Sequence, residues 1–130
     1  MTQSGKPVLA QYRIKQAKER LKAAELLCKS KSYRDSLSRS YYAMLQAARA
    51  LLATKQLDSQ KHSGVISLFN LHFVKEGIVD RSLGRLFAEA KGMREESDYA
   101  DYVSFTQEDA QDQIKHAEFF IQEVLKVLKE

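Results

Sequence analysis

Three groups of residues carry side chains suited to chemistry. Arg39, Tyr42, Gln46 and Arg49 follow one another at steps of three, four and three, which sets them along one stripe of a helix. Two guanidiniums and a phenol on one face can hold a phosphate and stack a base. The plainer reading makes Tyr41 and Tyr42 core aromatics with satisfied hydroxyls and pairs the arginines with acidic residues elsewhere. Lys61-His62-Ser63-Gly64 opens a helical pattern. Free amides, a cation, an imidazole and a hydroxyl at a helix start suit an anion, and Gly64 permits close approach. The alternative is a solvated turn capped by Asp58 or Ser59. The third group runs from Arg94 to Tyr102. There Arg94 can close a helix C-terminus, Asp98 can orient a guanidinium, and Tyr99 can stack or act as a weak acid. Glu95, Glu96, Asp98 and Asp101 lack the ordered spacing and glycine of a calcium loop, and His72, His116 and Cys28 stand apart from one another. No metal site and no cofactor are expected.

The elements that must position these groups read as helices. Ala10, Ala17, Leu21, Ala24 and Cys28 recur on one face of a helix from Pro7 to Ser30, with Lys15, Lys18, Arg20, Lys22 and Lys29 on its remaining surface. Ser32 and Asp35 have the spacing of a capping box, so a second helix is expected from there to Lys55. Its apolar stripe, Leu37, Tyr41, Met44, Leu45, Ala48, Leu51 and Leu52, is wide enough to be buried on more than one side. A third helix, capped by Asp58 or Ser59, carries Val65, Ile66, Phe69, Phe73 and Val74 and ends at Gly77 in a left-handed stop. A fourth spans Arg81 to Glu96, and Asp98 to Tyr102 reads as a polar, aromatic linker. Thr106 and Asp109 cap a fifth, amphipathic helix that ends at Leu128. The fold expected is an all-α, antiparallel up-and-down bundle of about five helices in a single domain, with residues 1–7 frayed.

Composition agrees with that reading. The 130 residues are 44% apolar and 29% charged, enough for one compact domain. One proline, five glycines and no tryptophan leave too few turn-formers for a barrel of many short strands. Cys28 is the only cysteine, so packing must supply the stability without an internal disulfide. No apolar run reaches the roughly 18 residues needed to span a bilayer and no signal-peptide pattern opens the chain, so a soluble, cytoplasmic protein is expected. The net charge of +4 is unevenly placed. Through Lys55 there are 12 Lys and Arg against 3 Asp and Glu, a balance of +9; the remainder holds 9 against 14, or −5. This asymmetry reads chiefly as complementarity that docks the second helix against the Arg94-to-Tyr102 segment, with a few arginines left for phosphate.

Six pieces in order carry a resemblance. Arg39-Ser40-Tyr41-Tyr42-Ala43-Met44, Ala48-Arg49-Ala50-Leu51-Leu52, Lys61-His62-Ser63-Gly64, Phe73-Val74-Lys75, Arg94 with Asp98-Tyr99, and Ala117-Glu118-Phe119 resemble the HEPN domain family, in particular its small stand-alone prokaryotic members. The resemblance runs from about Lys15 to Leu128. It implies a helical bundle, usually a homodimer, and a role in a toxin-antitoxin-type pair with a separate minimal nucleotidyltransferase protein. Many HEPN domains are metal-independent endoribonucleases whose motif is an arginine, four to six residues, then a histidine. Here Arg94 fits the arginine, but Tyr99, Ala100 and Asp101 fill the positions where the histidine belongs. A phenol with an ordinary pKa of about 10 is a poor proton acceptor near neutrality.

The expectation is therefore a non-catalytic protein that binds nucleotide or RNA through Arg39, Tyr42, Arg49, Lys61, His62, Arg94, Asp98 and Tyr99. The alternative is a ribonuclease in which Arg94 acts with His62, brought near in space in place of the motif histidine. A third reading is a helical adaptor without a nucleotide site.

Overall fold

A computed structural model of the chain describes residues 7–99 and 101–129, the side chain of Tyr99 excepted. The expectation of a frayed start before Pro7 lies largely outside the described residues. Within them are α1 (Val8–Lys29), α2 (Tyr33–Thr54), α3 (His62–Phe69) followed by a π-helical turn (Asn70–Val74), α4 (Arg81–Tyr99) and α5 (Gln107–Leu128). Among the described residues there is no strand, and the architecture is the all-α helical bundle expected from the periodicity.

α2 is the axis of the bundle. It packs against α1, α3, α4 and α5, and its apolar positions are buried almost all round, from Leu37 and Tyr41 through Met44, Leu45, Leu51 and Leu52. Ala43, Ala47, Ala48 and Ala50 lie fully buried between them; such small side chains leave room for helix neighbours on several sides. A second layer of the core is aromatic. Phe69, Phe73, Phe87 and Phe120 are all buried, with ring centres 5.4 Å apart for Phe69–Phe120 and for Phe87–Phe120. Truncating any one of them to alanine should cost about 3–5 kcal/mol.

Three helix exits share one device. Ser32 N donates to Leu27 O, Leu57 N to Leu52 O and Ile78 N to Phe73 O, each preceded by a residue with positive φ: Lys31 at 67°, Gln56 at 58° and Gly77 at 75°. This is the Schellman closure. Gly77 is the left-handed stop expected from the sequence; at the other two exits a side chain occupies the strained position.

Several local expectations change. Ser32 is the N-cap of α2, but its side chain makes no capping bond; its Oγ lies 3.4 Å from that of Ser30. The chain enters α2 directly from the left-handed turn at Lys31, and Ser32 is held at ψ 68° rather than extended. Lys61, not Asp58 or Ser59, is the N-cap of α3. The third helix gives way after Phe69 to a π turn, closed by Lys75 N donating to Asn70 O at 2.8 Å. α4 continues to Tyr99, so Asp98 and Tyr99 belong to a helix rather than to a linker. The capping box of α5 is present as expected, with Thr106 Oγ1 accepting from Asp109 N and Asp109 Oδ2 accepting from Thr106 N.

Candidate functional site

At one edge of the aromatic core the packing turns polar. Tyr41 is fully buried and its ring lies 6.1 Å from that of Phe87; beside it Tyr42 is half-buried. Adjacent helical residues point about 100° apart, so one tyrosine faces inward while the next reaches the surface. Their rings meet edge to face at 5.3 Å. His62, the first residue of α3, packs on both, 5.8 Å from Tyr41 and 5.6 Å from Tyr42. From α4, the Arg94 guanidinium carbon lies 5.2 Å from the Tyr42 ring and 5.8 Å from the Tyr41 ring. An imidazole and a guanidinium therefore converge on one pair of phenols from two different helices.

Their electrostatics follow from that placement. Partial burial, then the positive charges of Arg94, Arg49 and Lys91, hold the His62 pKa below its ordinary value of 6.5, so the imidazole is neutral near neutrality and can accept a proton. Burial pushes the Tyr41 hydroxyl up to about 12, against a smaller opposing pull from Arg94; it remains a neutral phenol. Arg94 Nη2 pairs with Asp98 Oδ2 at 3.3 Å along α4. The Tyr41 hydroxyl and Arg94 Nε are buried without a hydrogen-bond partner among the described residues. Buried polar atoms are seldom left so, and both belong to this cluster.

The loop that delivers His62 is tied down. Asp58 Oδ2 accepts from Arg13 Nη2 at 3.0 Å and from Arg49 Nη2 at 3.2 Å, and Arg13 also donates to the Arg49 carbonyl at 3.0 Å. Partial burial raises the Asp58 pKa, but bonds from Arg49 and the Ser59 amide, with the charges of Arg49 and Arg13, bring it below 3.8 overall. Ser59 Oγ accepts from Lys61 N at 3.2 Å. A Cβ on Gly64 would press against the Ser59 Oγ and Cβ, so a larger residue here needs Ser59 to shift.

The structure thus brings together His62, Tyr42, Arg94 and Asp98 from the expected set. Arg49 is held by Asp58 instead, although its charge is felt at His62. Lys61 is exposed at the start of α3. Arg39 is exposed in a groove of about 520 Å³ that it shares with Arg20, Leu27, Asp35, Ser38 and Tyr42. The Tyr99 side chain lies outside what is described. Tyr41, expected in the core, proves to be both core and cluster; the signal for the second role is its adjacency to Tyr42. Arg13, buried beneath Asp58, carries no such signal.

The charge split also resolves differently. Both ion pairs joining the basic and acidic halves among the described residues end on Asp58. Where α2 meets the end of α4, the contact is Arg34 donating to the Ser97 carbonyl and, at 2.6 Å, to the Val103 carbonyl. Backbone oxygens take the place of the carboxylates expected there. Among the described residues, no three His, Cys, Asp or Glu side chains gather as a metal site would require, and no described helix is long and apolar enough to cross a membrane.

Comparison with known proteins places this arrangement in context. The sequence profile of the HEPN domain matches residues 10–128. "Putative toxin MJ0605" of Methanocaldococcus jannaschii is 42% identical over 117 residues, covering 90% of this chain and 87% of that protein. A UPF0332 protein of Thermotoga maritima is 35% identical over 125 residues, covering 96% and 95%. "Putative toxin MJ0142", also of M. jannaschii, is 33% identical over 115 residues, covering 88% and 78%.

Proposed function

The chain belongs to the HEPN domain family, and from that premise we propose that it is the toxin-like member of a two-protein system and binds the phosphate of a nucleotide or RNA at the Tyr41–Tyr42–His62–Arg94 cluster. The observation that carries this reading is the convergence of Arg94 and His62 on the same two tyrosines. Arg94 supplies a fixed charge whose Nε has no partner among the described residues, Asp98 orients the guanidinium, and the half-buried Tyr42 ring offers a face for a base. The toxin names of two relatives support the system-level part of the reading. Its partner would be a minimal nucleotidyltransferase, as the family resemblance implies, and the active species a homodimer.

A second reading is favoured by one observation, the placement of the His62 imidazole and the Arg94 guanidinium on the same two tyrosine rings, where burial and nearby positive charges hold the His62 pKa below 6.5. In it His62 accepts the proton of a ribose 2′-hydroxyl, the oxygen attacks the adjacent phosphorus, and the 5′-oxygen leaves with a proton from solvent. Arg94 neutralises the developing charge. Tyr99, in the motif position, cannot take that role near neutrality.

One experiment separates the readings. Purified protein is incubated with single-stranded RNA and a chelator, and binding and cleavage are followed together. Binding without cleavage, lost in Arg94→Ala, is the expected result for the first reading. Cleavage lost in both Arg94→Ala and His62→Ala would replace it with the second, and neither binding nor cleavage would leave an adaptor.

A further inference from the structure

Tyr42 has a second neighbourhood. Besides touching His62 and Arg94, it lines the groove of about 520 Å³ between α1 and α2 whose other walls are Arg20, Leu27, Asp35, Ser38 and Arg39. Arg20 and Arg39 enter this groove from two different helices. Neither forms an ion pair among the described residues, whereas Arg13 and Arg49, one turn or more away on the same helices, are both taken up by Asp58. Asp35 is also in the groove, one helical turn before Arg39, yet it does not pair with it within 4.0 Å. Arg20 is half-buried while Lys15, Lys18, Lys22 and Lys29 of the same helix are exposed. Part of its side chain is therefore covered by the protein, unlike those lysines.

Tyr42 thus belongs to two cationic neighbourhoods: Arg94 at the cluster, and Arg20 with Arg39 in the groove. A single mononucleotide phosphate has use for one of them. A base stacked on Tyr42 within a strand has a phosphate on each side, and aromatic platforms between backbone-tracking cations are how single strands are held without sequence preference. We infer that the Arg20–Arg39 groove is a second phosphate subsite, so that the ligand is a single-stranded polynucleotide spanning Tyr42 rather than a free mononucleotide. This inference rests on the phosphate-binding reading of the cluster and names the ligand class for it.

The test measures fluorescence anisotropy with a labelled oligouridylate of roughly eight nucleotides, in parallel with thermal shift by uridine monophosphate. An oligothymidylate of the same length distinguishes an RNA from a DNA strand. The wild type should bind an oligonucleotide more tightly than the mononucleotide. Arg20→Ala/Arg39→Ala should weaken the oligonucleotide roughly tenfold, leave the mononucleotide unchanged, and lower the slope of log affinity against log salt by about 0.7 for each phosphate no longer neutralised. Arg94→Ala should weaken both ligands. Lys115→Ala/Lys129→Ala, on α5 and at its C-cap, removes the same charge elsewhere and should change neither. An unaltered oligonucleotide affinity and salt slope in the groove variant overturns the subsite while leaving the cluster reading intact. So does an equal loss for both ligands, since the groove arginines would then serve one phosphate only. Failure of the wild type to bind any of the three overturns both.

Discussion

The guanidinium carbon of Arg94 sits 5.2 Å from the ring centre of Tyr42, joining the far end of α4 to the middle of α2. The His62 ring meets the same ring edge to face, with centres 5.6 Å apart. Tyr42 also meets Tyr41 edge to face, so it touches the other three members of the cluster.

That contact is expected to add little to stability. A partly exposed cation–π interaction is worth about 0.5–2 kcal/mol, and the pair with Asp98 adds little because both side chains are partly exposed and screened. Arg94→Ala is therefore expected to shift the melting temperature by a few degrees, while abolishing the thermal shift produced by RNA. A variant that loses several times that stability would make Arg94 a structural residue.

The His62 pKa gives a pH dependence with a fixed sign. Its folded value lies below 6.5 because of partial burial and the charges of Arg94, Arg49 and Lys91, so between the folded and unfolded values the unfolded state binds more protons. The contribution to stability is full above 6.5 and is lost as pH falls toward the folded value. An NMR titration of the His62 ring is expected to show a midpoint below 6.5 that rises in Arg94→Ala. A midpoint at or above 6.5 in the wild type contradicts the assigned field.

Asp58 is expected to matter more for folding than for ligand. Asp58→Ala leaves Arg13, 8% exposed, without its carboxylate, at a cost of about 1–3 kcal/mol once the half-exposure of Asp58 is allowed for. Arg49→Ala should likewise lower the melting temperature with little change in RNA affinity. If Arg49→Ala instead weakens RNA binding as strongly as Arg94→Ala, the Arg49–Asp58 pair opens on binding and Arg49 belongs to the site.

Gly64 tests how His62 is placed. Gly64→Ala sets a methyl group against Ser59 Oγ and Cβ, which displaces the oxygen that accepts from Lys61 N. A loss of about 1–3 kcal/mol is expected from such overpacking, together with a shifted His62 ring resonance. Ser59→Gly in the same chain removes the obstacle and should restore both; no recovery would place the cause elsewhere.

Much of the helical layout is legible in the sequence because it depends on local spacing. The period of Ala10, Ala17 and Ala24, the Thr106–Asp109 box and Gly77 each specify a neighbour three to seven residues away, and each appears as expected. Where the local signal is ambiguous, expectation and structure part. Asp98 and Tyr99 have the polar, aromatic character of a linker, yet α4 continues through them while Arg34 from α2 bonds the Ser97 and Val103 carbonyls.

The sequence by itself determined the helical class, the order of the elements, and the residue types able to meet a phosphate. Which arginine remains available was decided only by tertiary structure. Arg39, Arg49 and Arg94 are alike as sequence, but Asp58 reaches back to take Arg49, Arg39 lines a groove and forms no ion pair among the described residues, and the bundle carries Arg94 to the ring that also receives His62. The reason is range. Helical periodicity is set by hydrogen bonds four residues apart, whereas the partner of a charge is chosen by whichever elements the buried core presses together.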